Sequence, residues 1–88
     1  MKKHSGKYKL LYTKSAVKDI KKLDGVAKKR IKKKIEVFSE KPFLYAKKLI
    51  SSSLGSFCWR IGNHRIIFDI KGKNIIILRL GHRKEIYK

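Results

Sequence analysis

The sequence predicts an α+β domain: an N-terminal strand, a helical hairpin, then three antiparallel strands in a meander, giving a four-stranded sheet with helices on one face. Three observations predict it. Two stretches, about 13–24 and 26–40, carry apolar residues at helical spacing. Three later runs alternate apolar and polar residues across turns at Gly62-Asn63 and Gly72. A further alternating run precedes the helices.

Residues 1–6 are polar and read as a disordered tail of a single domain spanning 1–88. Lys7 to Thr13 alternates as a first strand, with Tyr8, Leu10 and Tyr12 on one side. Thr13 or Ser15 can cap the first helix, whose stripe is Ala16, Ile20 and Leu23. Asp19 lies near its start, where the helix dipole favours an acid, and Asp24-Gly25 closes it. In the second helix Ala27, Ile31, Ile35 and Phe38 share a face, opposite a dense lysine face, and Pro42 stops it. Residues 43–56 read as a connecting segment containing Lys47 and Lys48.

The strands follow at 56–61, 64–70 and 74–80. Trp59, Ile61, Ile66, Phe68 and Ile70 share one parity and should form the core with the helix stripes. Arg60, Arg65, Ile67 and Asp69 share the other, which should be the exposed face. Arg79 has the core-side parity of Ile75 and Ile77, which argues for an edge position. A two-residue turn at Gly62-Asn63 sets Arg60 opposite Arg65. Like charges in that position cost a few tenths to about 1 kcal/mol. A sheet that accepts this cost is expected to meet an anion there.

Composition narrows the partner. Twenty-five Lys and Arg against six Asp and Glu give a net charge of +19 within 88 residues. Self-repulsion on that scale opposes compaction and points to an acidic partner, with nucleic acid first and an anionic membrane second. Twelve isoleucines argue against compositional disorder. The longest apolar run, Ile75 to Leu78, is too short to span a bilayer, and no signal peptide follows Met1. The single cysteine, Cys58, excludes an internal disulfide, so a cytoplasmic location is expected.

The usual catalytic sets are missing. Three Asp and three Glu are scattered, no glycine-rich phosphate loop precedes a helix, and His4, His64 and His82 lack metal-ligand spacing. No metal and no cofactor are expected. Any activity must rest on Lys, Arg and Tyr.

Two C-terminal stretches carry a family resemblance. They are Leu54-Gly55-x-Phe57-x-Trp59-Arg60-Ile61-Gly62-Asn63-His64-Arg65-Ile66-Ile67-Phe68-Asp69-Ile70 and Ile77-Leu78-Arg79-Leu80-Gly81-His82-Arg83-Lys84-Glu85-Ile86-Tyr87. With Tyr12-x-x-x-Ala16-x-x-Asp19-Ile20-x-x-Leu23 and Lys47-Lys48-Leu49, they resemble the RelE/ParE superfamily of toxin–antitoxin toxins. The ending Gly-His-Arg-x-x-x-Tyr favours the RelE branch, the ribosome-dependent mRNA interferases.

The resemblance implies metal-independent cleavage of messenger RNA in the ribosomal A site by 2′-hydroxyl attack. Arg65 matches the arginine that holds the scissile phosphate, and Arg83 the one at the 5′ leaving oxygen. Arg60 matches one of two family lysines, and Tyr87 the C-terminal tyrosine that orients the nucleotide. The other family lysine falls at Cys58, which carries no positive charge. Lys47, Lys48, Lys29, Lys32 and Lys33 are the expected RNA- or ribosome-binding residues. The implied partners are the ribosome, mRNA and an acidic or amphipathic RelB-like antitoxin in a heterotetramer, with no membrane. Two alternatives stand beside this reading: a ParE-like gyrase poison on the same fold, and a non-catalytic RNA- or ribosome-binding protein.

Overall fold

The computed structural model of the protein describes residues 8–49 and 55–82. The order is β1 (Lys9–Tyr12), α1 (Lys14–Lys21), α2 (Gly25–Phe38), α3 (Pro42–Tyr45), β2 (Lys47–Lys48), β3 (Phe57–Ile61), β4 (His64–Lys71) and β5 (Asn74–His82). The strands form one five-stranded sheet in the order β1-β5-β4-β3-β2. The α+β class and the meander match the sequence reading, but the sheet has five strands rather than four. The extra one is β2, formed by Lys47 and Lys48 within the expected connection. Two residues are too few to show an alternating pattern, so only pairing with β3 reveals them. The N-terminal tail expected at 1–6 lies outside the described residues.

Helix starts follow local chemistry. The Thr13 hydroxyl accepts from the Ala16 N–H at 3.1 Å, and an Asp24 carboxylate oxygen accepts from the Ala27 N–H at 2.7 Å. Asp24-Gly25 therefore opens α2 instead of closing α1. The Pro at the first position of α3 tolerates the lost N–H there.

The core lies between the helices and one sheet face. Ala16, Ile31 and Ile35 meet Trp59, Ile61, Ile66, Phe68, Ile75, Ile77 and Leu80, all buried. Ile20, Leu23, Phe38 and Ile70 pack around them, half-buried. The Trp59 ring lies tilted against Phe68 with centroids 4.1 Å apart, and its Nε1–H donates to the Pro42 carbonyl at 3.1 Å. That bond satisfies a buried donor and ties α3 to β3.

Strand β5 carries a bulge. Ile67 pairs with Arg79 and Phe68 with Ile77, so Leu78 is an extra residue. The alternation shifts by one beyond it. Leu80 turns into the core, and Arg79 leaves the core-side parity that its spacing from Ile77 suggested.

Asp19 is corrected at the same place. Expected near the start of its helix, it lies instead in the second half of α1 as a buried carboxylate. One of its oxygens accepts from the Leu80 N–H at 3.0 Å and from Arg79 Nε at 2.7 Å; the other accepts from Arg79 Nη2 at 3.2 Å. The hydrogen bond and charge of Asp19 hold the Arg79 guanidinium above its ordinary pKa. Thr13 helps along the same edge. Its N–H donates to the Ile77 carbonyl and its hydroxyl to the Leu78 carbonyl. Side chains of the α1 segment thus continue the pairing that β1 begins.

The sheet face away from the helices is not uniformly open, as expected, but half covered. Gly55 lies over it, and Ile67 and Cys58 are buried on it. The Ser56 N–H is anchored to an Asp69 carboxylate oxygen at 2.7 Å. No helix among the described residues is long and apolar enough to cross a membrane.

Asp19→Ala should lower the unfolding free energy by about 2–3 kcal/mol, most of it from the orphaned Leu80 N–H, since Arg79 is partly solvated. Asp19→Asn retains an acceptor and should lose less; urea unfolding measures both. A Cβ on Gly55 would stand 2.7 Å from Leu78 Cδ1 and 2.8 Å from Ile67 Cγ2. Gly55→Ala should therefore cost about 1–3 kcal/mol, read as a lowered Tm.

Candidate nucleic-acid interface

The turn at Gly62-Asn63 forms as expected. Gly62 has φ of 61°, a left-handed value that glycine adopts without steric cost. It fixes the register Ile61↔His64, Arg60↔Arg65 and Trp59↔Ile66. The two arginines are therefore direct cross-strand neighbours on the face away from the helices.

The next strand completes the row. Arg65 pairs with Gly81 on its other side, so no side chain competes for the space above β5. Arg65 is half-buried, and its Nη1 is fully buried with no hydrogen-bond partner among the described residues. An unmet charged donor is costly in a fold, commonly about 1–3 kcal/mol or more. An anion at this position would relieve that cost with a charge-assisted bond.

Lys47 pairs with Cys58, one row along from Arg60 on the same face. A third cation thus approaches the arginine row from the edge strand. Lys48 pairs with Phe57, whose side chain belongs to the opposite face, so Lys47 is the better placed of the two. Arg83 and Tyr87 lie outside the described residues.

Lys29, Lys32 and Lys33 are exposed, as expected. At 100° per residue, Lys29 and Lys33 point away from the sheet, and Lys32 faces the groove toward α1. None of them lines the cleft that contains Arg60. Arg30 and Lys34 do, together with Phe38, Ile61 and Gly62. Sequence reading passed over this pair because it merged them with the lysine face. The signal was present: Arg30, Lys34 and Phe38 fall at i, i+4 and i+8, directly beside the Ile31/Ile35 core stripe.

His64 faces His82 across the strands, with ring centroids 6.1 Å apart and both rings half-buried at the end of the core. No group of three His, Cys, Asp or Glu that could hold a metal occurs among the described residues.

Residues 10–87 match the model of the ParE toxin family of type II toxin–antitoxin systems. A curated relative, Toxin RelE3 of Methanocaldococcus jannaschii, is 39% identical over 83 residues, covering 90% of this chain and 94% of the relative. The chain belongs to the RelE/ParE superfamily of toxins. Its fold superposes on that of this superfamily. The RelB–RelE antitoxin–toxin complex of Methanococcus jannaschii matches at TM-score 0.68 and 36% identity, over 88% of this chain and 94% of the other. The RelBE2 toxin–antitoxin complex of Mycobacterium tuberculosis matches at TM-score 0.78 and 26% identity, over 86% and 98%. Within this RelE-type toxin the arginine row sits on the open end of the outer sheet face, beside the covered Ile67 and Cys58.

Phosphate should raise the Tm of this toxin more than chloride at equal ionic strength, by binding the native state. Arg65→Ala should remove most of the difference, which differential scanning calorimetry can record.

Proposed function

We propose that this chain is the toxin of a toxin–antitoxin pair and a ribosome-dependent endoribonuclease that cleaves messenger RNA in the A site. The observation that carries the reading is the Arg60–Arg65 row, with Gly81 opposite and a buried, unmet Arg65 nitrogen.

The chemistry follows from charge. The 2′-hydroxyl of the nucleotide before the cut attacks the neighbouring phosphorus as its proton leaves. The bond from phosphorus to the 5′ oxygen breaks. That oxygen takes up a proton and departs as a 5′-hydroxyl, leaving a 2′,3′-cyclic phosphate. Negative charge builds on the non-bridging oxygens in the transition state, and pre-placed guanidinium groups stabilise it there. Arg65 takes this role, held by its place in a central strand. Arg60 adds a second charge; its high pKa suits electrostatic work better than proton abstraction. Lys47 supplies from β2 the ammonium that Cys58 cannot. Arg83 and Tyr87 take the roles implied by resemblance: a proton or charge at the leaving oxygen, and orientation of the nucleotide.

The inhibitory partner is an acidic or amphipathic antitoxin, RelB-like, assembled with the toxin as a heterotetramer in the cytoplasm. Solved toxin–antitoxin complexes of the RelB–RelE type among the structural relatives support the pairing.

In a translation reaction followed by primer extension, the protein should cut within A-site codons only when ribosomes are present. Arg65→Ala should reduce the cleavage rate about 10²–10³-fold, the scale of losing one transition-state donor. Lys47→Ala should slow it by a smaller factor without changing Tm. Intact message together with gyrase-dependent DNA breaks would instead assign the fold to gyrase poisoning.

A further inference from the structure

A second cationic feature lies around the corner from the arginine row. Arg30 and Lys34 from α2 and Arg60 from β3 surround a cleft of about 390 Å3, with Phe38, Ile61 and Gly62 completing its walls. Arg30 and Lys34 come from the helix side of the sheet, whereas Arg60 shares the parity of the face away from the helices. The edge of β3 explains how they meet. Strand β2 covers only Phe57 and Cys58, so the edge at Trp59–Ile61 carries no strand partner among the described residues. Arg60 stands at that open edge and reaches the cleft, while its backbone pairs with Arg65. Gly62 lies at the mouth beside Arg30: a Cβ there would stand 3.9 Å from Arg30 Nη1, an ordinary contact distance.

We propose that this cleft binds a phosphodiester of a single-stranded RNA whose neighbouring phosphate lies on the Arg60/Arg65 row. Three points favour that ligand. No carboxylate forms an ion pair with any of the three cations, because Arg79–Asp19 is the only ion pair among the described residues. Two of the three are guanidinium groups, whose planar donors match phosphate oxygens in pairs. Phe38 gives the cleft an apolar wall on which a ribose or base can rest, as aromatic groups do beside single strands. Arg60 then serves two consecutive phosphates and sets the path of the strand around the hairpin turn. The inference rests on the RNA-directed reading above, but its test needs no cleavage.

The test is binding of the full chain to a fluorescein-labelled single-stranded RNA 12-mer, measured by anisotropy across a salt series. Arg30 and Lys34 are exposed helix positions, so Arg30→Ala with Lys34→Ala keeps helix propensity; circular dichroism verifies it. Each lost phosphate contact should flatten the slope of log K against log salt by about 0.7. The control is Lys71→Ala with Lys73→Ala, which removes the same charge at the opposite end of β4. Poly-L-glutamate of matched charge is the second probe. The proposal expects the Arg30/Lys34 variant to flatten the RNA slope beyond the control, with a smaller loss on polyglutamate. A slope equal to the control would overturn it. An equal loss on polyglutamate would also overturn it, and would give the cleft to an acidic peptide. If wild-type protein fails to cut message on ribosomes while the slope still responds, the nuclease reading falls and the cleft stands.

Discussion

One extra residue in β5 governs the basic end of this sheet. Without the bulge at Leu78, Arg79 would point among Ile75 and Ile77, an uncompensated charge in an apolar layer. With it, Leu80 fills the core, and Arg79 reaches the edge where Asp19 waits. The same shift brings Gly81 opposite Arg65. A side chain at that position would crowd the guanidinium or cover it. Asp19 holds the arrangement by taking both the Leu80 amide and the Arg79 side chain. A single carboxylate on α1 therefore fixes the frame on which the outer-face cations are displayed.

The cations are held by different means, and that matters for what they can do. Arg65 lies in a central strand with strands on both sides, and its position is set by pairing rather than by an acidic partner. Arg79, which pairs with Ile67 two residues along β4 from Arg65, is neutralised by Asp19 and belongs to stability. Lys47 and Arg60 stand toward the edge. A chain of net charge +19 with one ion pair among its described residues keeps most of its positive field turned outward. In the proposed function site and surface act together: the surface would attract a polyanion from a distance, and the row would orient it at contact.

Much of this was legible in the sequence because it depends on short-range rules. The Gly62-Asn63 turn fixes a two-residue hairpin, and the period of two then puts Arg60 against Arg65. Helix stripes at Ala16, Ile31 and Ile35 named their own burial. Long-range pairing was not legible. Lys47-Lys48 becomes a strand only because Cys58 and Phe57 offer an edge. The bulge at Leu78 left no sign in a run of Ile, Leu and Arg, so the parity of Arg79 and the purpose of Asp19 were both misread. The cover over Ile67 depends on a close approach of Gly55, which composition alone does not announce. Arg30 and Lys34 were hidden by abundance: among so many cations, only three-dimensional placement separates the ones that converge from the ones that are merely solvated.

The sheet order has a consequence for the protein while it is being made. β1, the first described strand, pairs in parallel with β5, the last, from Lys9↔Asn74 to Tyr12↔Ile77. Contacts so distant along the chain form late, because loop closure precedes any gain from pairing. Arg65 likewise has no neighbour on its far side until Gly81 has arrived. A growing polypeptide thus carries Arg60 and Arg65 without the frame that aims them until β5 is made. The topology works as a timer: the activity proposed for this fold becomes available only after β5 has been made.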